Sequence, residues 1–406
     1  MANDLKKPRI AMVTPLPPEM TGIAEYVAIL LPALSRHFDI DLYTSADQGA
    51  LESLKARHAI HHFSELEANR DRYDEVIYQF GNSPFHSHMV DLLDKVRGIV
   101  VLHDFYLSSM FAHMDLHEGN PGLFNQELVR SHGDEAQIEL LLKGPWEAAK
   151  HYPASRRIIE RAKGVLVHSE HAGAMRDAFY PSLEQKNWMK VPMPQPAIKS
   201  VSAEERLAIR TRFGFSADDF LAISLGFLAD TKLNEVLLDA LSDERLSGDQ
   251  SLHVVFAGEN DGGEYGLLLK QKIASLPNHE RIAITGFVSD ETYRDYLMAA
   301  DCAVQLRTRS RGETSKAVHD CMSYGLPIVV NDYGSFRELP AEALVKIPAE
   351  PAAEELAEAL FSLRGNPLRR AVLGMSAKHH IAVVHLAHHV AAEYARVIRH
   401  FAKKES

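Results

Sequence analysis

The 406-residue chain is long enough for two or three domains, and its 46% hydrophobic residues supply ordinary cores. A net charge of −11 without a long basic run excludes nucleic acid as the main partner. No apolar run reaches bilayer-spanning length and no signal peptide is legible, so a soluble cytoplasmic protein is expected.

Strand-like and helix-like segments alternate from the start. Arg9 to Thr14 (RIAMVT) reads as a buried strand, followed by the Pro-rich loop PLPPEMTGIAEY and a helix to about His37. Gly22 in that loop lets backbone approach a ligand closely. Phe38 to Thr44, Glu75 to Phe80, Gly98 to Leu102 and Gly164 to His168 continue the pattern. Short β-branched runs between helix-length segments predict a parallel sheet covered on both faces. Two polar groups follow strand ends, Gln79 to Ser83 with Asn82, and His103 with Asp104. A histidine there suits a base, a sugar ligand or a structural hydrogen bond. The basic clusters Lys6-Lys7 with Arg9, and Arg156-Arg157 with Arg161 and Lys163, read as solvated faces, with an anionic membrane as the alternative.

Trp188 to Ser200 carries three prolines at alternate positions and reads as a linker. A second α/β unit then has strands at Leu221 to Gly226, Leu252 to Gly258, Arg281 to Phe287, Cys302 to Leu306 and Pro327 to Asn331, with Ala343 to Ile347 as a last candidate. Cys302 and Cys321 are the only cysteines and read as buried free thiols. The predicted domains are 1–195, 196–385, and a C-terminal helix over 386–406 that returns to the first. The fold class is α/β, with two doubly wound domains whose ligand cleft lies between strand carboxyl ends.

Three strand-end loops of the second domain suit phosphate or sugar: Gly226 to Lys232, Gly258-Glu259, and Arg311 to Ser315. Lysine meets pyrophosphate as a point charge. At the Arg311 loop, Thr314 or Ser315 can cap the next helix, whose first turn offers unpaired N–H groups to an anion. Glu313 and Asp320 lie about two helical turns apart and can share a face. No Gly-x-Gly-x-x-Gly fingerprint follows a strand, which argues against a dehydrogenase. Five of the 22 histidines crowd 379–389, yet no metalloprotease carboxylate accompanies them, so no metal site is expected.

The segments GFLADTK, VVFAGE, ITGFVSDETYRDYLMAADCAVQL and RGETSKAVHDCMSYGLPIVVNDYGSFRELP, in that order, resemble the donor domain of glycosyltransferase family 4, which has the GT-B fold. TPLPPEMTGIAEYV, YQFGNSPFHSHM and VVLHDFYLSS resemble its acceptor-side domain. The resemblance implies a nucleotide-sugar donor, no metal and no cofactor. It puts Gly22 near the donor phosphates, Lys232 on the leaving diphosphate, Asp320 on the ribose and His103 on the transferred sugar. It assigns Gly226, Phe227, Glu259, Phe287, Val288, Arg311, Glu313, Thr314 and Ser315 to the donor side, and Asn82 and Asp104 to the acceptor side. Three departures stand out. The usual Glu-x7-Glu becomes Glu313-x6-Asp320, with Gly312 in the first position. Phe227 replaces an arginine, whose charge Arg311 can supply. Asp320 is one methylene short of the usual glutamate.

The Arg-Gly-Glu-Thr-Ser variant is similar to bacterial mannosyltransferases of O-antigen and polysaccharide assembly. The expectation is therefore a retaining enzyme that moves mannose from GDP-mannose to a glycan or lipid-linked acceptor, with peripheral contact at the inner membrane. The alternatives are a sugar-nucleotide epimerase, a phosphorylase, or a non-catalytic binding protein of the same fold.

Overall fold

The structure is a computed structural model that describes residues 7–17, 19, 21–45, 52–183 and 186–403. Lys6 of the first basic cluster, Pro18 and Met20 of the Pro-rich loop, and residues 404–406 lie outside the described residues. The chain divides into two compact units. Unit 1 takes Met1–Pro194, Arg311–Thr314 and His385–Ser406, and unit 2 takes Gln195–Ser310 and Ser315–Val384.

In unit 1 the described strands are β1 (Arg9–Val13), β2 (Asp39–Thr44), β3 (Ile60–His62), β4 (Glu75–Phe80), β5 (Ile99–Leu102), β6 (Gly164–Val167) and β7 (Trp188–Lys190). They form one parallel sheet in the order β3-β2-β1-β4-β5-β6-β7. The central strands are buried along their whole length, as a sheet covered on both faces requires. One face packs Tyr78, Val100 and Phe111. The other packs Ile77, Val101 and Leu30 against Tyr394, Ile398 and Phe401 of the C-terminal helix Ala387–Lys403. That helix sits tightly: a Cβ on Gly164 would lie 2.5 Å from the Phe401 ring.

The expected linker begins too early. Trp188–Lys190 is an edge strand paired with β6, since its N–H groups are intact and the prolines start only at Pro192.

Unit 2 holds β8 (Phe220–Leu225), β9 (Leu252–Ala257), β10 (Ile282–Ile284), β11 (Cys302–Gln305), β12 (Ile328–Asn331) and β13 (Val345–Ile347), parallel in the order β10-β9-β8-β11-β12-β13. β10 is shorter than the expected Arg281 to Phe287, because Gly286 at φ +73° turns the chain out of the sheet. Cys302 and Cys321 are buried free thiols, and burial pushes both pKa values up. Among the described residues, no helix is long and apolar enough to cross a membrane.

In each unit the strand order reverses once, between β1 and β4 in unit 1 and between β8 and β11 in unit 2. Crossovers leave a doubly wound sheet on opposite faces at such a point, so the crevice opens at the carboxyl ends of those two strands.

Candidate functional site: a half-site on each unit

At the unit 2 reversal, β8 runs into Gly226, which adopts φ +92°. The loop returns through a short 3-10 turn, Asp230–Lys232, and carries the Lys232 side chain back over the strand end. A Cβ on Gly226 would sit 2.8 Å from Lys232 Nζ, so glycine clears the lysine's path. The ammonium donates to the Leu225 carbonyl at 3.4 Å. Burial first, and the charge of Arg307 second, bring its pKa down to about 7. Phe227 is half exposed, and Glu259 is exposed with its carbonyl accepting from the Leu228 N–H at 2.9 Å. Phe287 is 75% exposed and Val288 half-buried, so both leave backbone and ring accessible at the end of β10.

The helix Lys316–Tyr324 begins at Ser315, whose Oγ accepts from the Val318 N–H at 3.4 Å. Ser315, not Thr314, is therefore the cap. Asp320 is buried one turn further on, where its Oδ2 accepts from Tyr293 Oη at 2.9 Å and Lys316 Nζ at 2.6 Å. The helix stops at Gly325 in the left-handed region (φ +69°), as the Gly-Leu-Pro sequence predicts.

The preceding stretch, Arg311–Thr314, goes with unit 1. The Arg311 carbonyl accepts from the N–H groups of Phe105 (2.8 Å) and Tyr106 (3.1 Å). Gly312, at φ +81°, packs so closely that a Cβ would be 2.4 Å from Phe105 Cβ. The glutamate of the usual motif cannot occupy that position. Glu313 takes the carboxylate instead and turns it back, accepting from the Arg311 N–H at 2.5 Å. Thr314 Oγ1 is buried with no hydrogen-bond partner among the described residues.

At the unit 1 reversal, Thr21 Oγ1 accepts from the Ile23 N–H at 3.2 Å and opens the helix Gly22–Leu34. A side chain at Gly22 would meet nothing within 4 Å among the described residues. After β5, half-buried His103 pairs Nε2 with Gln79 Oε1 at 2.8 Å. Its ring stands edge-on to Tyr26 (4.6 Å between centroids) and 5.1 Å from His168. Burial, then the neighbouring His168 and His86, hold its pKa well below the ordinary value, so the ring stays neutral. Asp104 accepts from the Asn82 N–H at 2.9 Å, and Asn82 Oδ1 accepts from the Met110 N–H at 3.1 Å. That pair braces the loop, while Asn82 Nδ2 is buried without a partner among the described residues.

Residues 205–380 match the family described as Glycosyl transferases group 1. Those residues form a group 1 glycosyl transferase domain. The chain is 37% identical over 139 residues to mannosylfructose-phosphate synthase of Agrobacterium fabrum (strain C58 / ATCC 33970). That match covers 33% of this chain and 30% of the synthase. Among solved structures, a glycosyltransferase from Rickettsia africae ESF-5 superposes with a TM-score of 0.69 at 11% identity, covering 98% of this chain and 99% of that one. HepE from Anabaena, solved in complex with UDP, superposes with a TM-score of 0.67 at 14% identity, covering 97% and 100%. The fold is GT-B, two parallel-sheet Rossmann-like units as expected.

Within the group 1 domain, Gly226, Phe227 and Lys232 stand on the loop after β8, and Ser315 with Asp320 on the helix after β11. Glu259, Phe287 and Val288 close the ends of β9 and β10. In unit 1 the structure groups Gly22, Asn82, His103 and Asp104 at the ends of β1, β4 and β5. Sequence reasoning missed three supporting groups, Tyr293, Lys316 and Arg307, and singled out Gln79 without its partnership with His103. Tyr293 and Lys316 hold Asp320, Gln79 orients His103, and Arg307 adds charge beside Lys232. Lys316 alone had a local signal, four residues before Asp320 on one helix. Among the histidines of 379–389, His385 is spent on the Met193 carbonyl at 2.9 Å. No group of three or more potential metal ligands is arranged for an ion among the described residues.

Proposed function

We propose that the chain is a retaining glycosyltransferase that moves mannose from GDP-mannose to a glycan or lipid-linked acceptor in surface polysaccharide synthesis, without a metal. The observation that carries this reading is Lys232, an ammonium bent over the β8 end at the sheet reversal of the group 1 domain and hydrogen-bonded, among the described residues, to a backbone carbonyl. A half-buried cation with no carboxylate partner among the described residues calls for an anion, and a nucleotide diphosphate is the anion this domain suits.

In the proposed reaction an acceptor oxygen attacks the anomeric carbon on the face from which the diphosphate leaves. The sugar–phosphate bond breaks as the new bond forms, and its electron pair stays on the phosphate oxygen. The acceptor proton goes to that same oxygen. Lys232 and the helix start at Ser315 stabilise the charge that develops there. Asp320 serves the ribose, while Gly226, Phe227, Glu259, Phe287 and Val288 frame the nucleotide. Gly22 gives backbone to the phosphates. His103, neutral and oriented by Gln79, hydrogen-bonds the transferred sugar rather than acting as a base. Arg311, Glu313 and Thr314 border the donor, and Asn82 and Asp104 the acceptor side. The enzyme works in the cytoplasm, at the inner membrane surface when its acceptor is lipid-linked.

The name of the Agrobacterium relative supports a mannosyl donor. HepE, solved with UDP-glucose, supports a UDP-sugar instead. Thermal unfolding with GDP, UDP, ADP, dTDP and their sugar conjugates separates the two. Ligand at 100 times its Kd should stabilise by about 2.7 kcal/mol. A shift confined to GDP and GDP-mannose is the expected result. A shift with UDP compounds reassigns the donor, and no shift with any of them overturns the reading.

A further inference from the structure

Between Glu358 and Glu393 the sequence holds no aspartate or glutamate, yet Arg364, Arg369, Arg370 and Lys378 fall there. In unit 2 this stretch forms the 14-residue helix Pro367–His380, about 21 Å long at 1.5 Å per residue. Its inner face is fixed. Leu373 and Ala377 are buried, and a Cβ on Gly374 would lie 2.2 Å from the Gly325 carbonyl oxygen. Arg370 also turns inward, donating to the Leu363 carbonyl at 2.5 Å with its guanidinium over the Phe220 ring. Arg364 pairs with Asp249.

The outer face differs. Leu368, Val372 and Met375 are 74%, 54% and 72% exposed and lie at i, i+4 and i+7, so they form one stripe. The stripe continues past the helix end, where Met375, His379 and Val383 line a cleft with Pro340 and Glu342. At about 100° per residue, the exposed Arg369 and Lys378 fall about 90° to either side of it. Among the described residues neither forms an ion pair, and Arg369 donates to Ser362 Oγ at 2.5 Å. A helix so built suits the plane of a membrane interface, with aliphatic side chains at the acyl boundary and cationic heads at lipid phosphates. A second copy suits it less. Two-fold pairing of the helix would set these cations against the same cations. So short a stripe also falls well below the roughly 20–30 residues a side of a stable protein interface.

We propose that the outer face of Pro367–His380 docks the enzyme on an anionic lipid bilayer, Leu368, Val372 and Met375 entering its surface and Arg369 and Lys378 meeting lipid phosphates. This docking deepens the peripheral membrane contact proposed above, and it rests on this helix rather than on the donor site.

Flotation of the full chain with vesicles tests it, using phosphatidylcholine alone and phosphatidylcholine with an equal part of phosphatidylglycerol. Wild type should float with the anionic vesicles, come off as salt is raised, and leave neutral vesicles bare. Val372→Asn with Met375→Asn, and Arg369→Gln with Lys378→Gln, should each lower the partition coefficient about tenfold or more. Should the first pair not fold, Leu368→Gln in the exposed first turn decides by the same comparison, with a smaller loss expected. A wild type that does not float, floats equally with neutral vesicles, or floats no better than the folded variants overturns the docking. A dimer in analytical ultracentrifugation that Val372→Asn with Met375→Asn abolishes, without flotation, also overturns it and gives the face to a second copy. Titration calorimetry with GDP, UDP, ADP and dTDP reads the donor site separately. A wild type that floats as expected but binds none of them supports the docking and overturns the donor-site reading.

Discussion

Replacing Lys232 with methionine should stabilise the free protein while removing its hold on diphosphate. The lysine stem is partly buried over the end of β8, and its pKa falls from the ordinary 10.5 to about 7, chiefly through burial. Each pKa unit corresponds to about 1.4 kcal/mol, so retaining the proton below pH 7 costs the folded state roughly 3–5 kcal/mol. Methionine keeps the length of the stem and omits the charge. The sign follows from proton counts. Between pH 7 and 10.5 the unfolded chain still holds the proton that the folded chain has released, so wild-type stability rises with pH across that window. The advantage of Lys232→Met should therefore be full below pH 7 and fade as pH approaches 10.5. Urea unfolding at pH 6 and at pH 9 measures it. A methionine variant less stable than wild type at pH 6, or an equal advantage at both pH values, would refute the reasoning.

The same pKa predicts that diphosphate binding at pH 8 takes up protons, because the bound anion favours the ammonium; titration calorimetry in buffers of different ionisation enthalpy should show it. Asp320→Ala should weaken nucleoside binding by roughly tenfold and leave inorganic pyrophosphate untouched, read by competition binding. Gly312→Ala places a side chain at φ +81° against Phe105 and should cost roughly 1–3 kcal/mol, seen as a lowered Tm. Phe401→Ala removes the ring packed on Gly164 and should cost roughly 3–5 kcal/mol in denaturant unfolding.

What was legible followed from local pattern. The buried central strands announce themselves as short apolar runs, and the parallel sheets follow from helix-length spacing between them. The three-residue edge strands β3 and β7 do not, since each is too short for a period and is partly exposed. Lys232 was visible because Gly226 follows β8 directly and the lysine lies on the same loop. Arg307 was not, because its significance depends on β8 lying beside β11, eighty residues away in the chain. Tyr293 was hidden likewise, as its bond to Asp320 crosses between two helices. Glu313 was correctly located in its loop, but its backbone bond to Arg311 depends on Gly312 being pressed against Phe105, which no local pattern records.

The docking of Ala387–Lys403 against the first sheet bears on how the chain comes into being. Unit 1 begins at the N-terminus, yet Tyr394, Ile398 and Phe401 cover one face of its core. At about 5–20 residues per second, a ribosome needs on the order of ten to forty seconds to go from Pro194 to that helix. Throughout that interval the face formed by Ile77 and Val101 is synthesised and covered by Val27 and Leu30 of the first helix, but it lacks the layer that Tyr394, Ile398 and Phe401 supply, while unit 2 is being made. Newly made chains should therefore finish their second half first and bind holdase chaperones through the first.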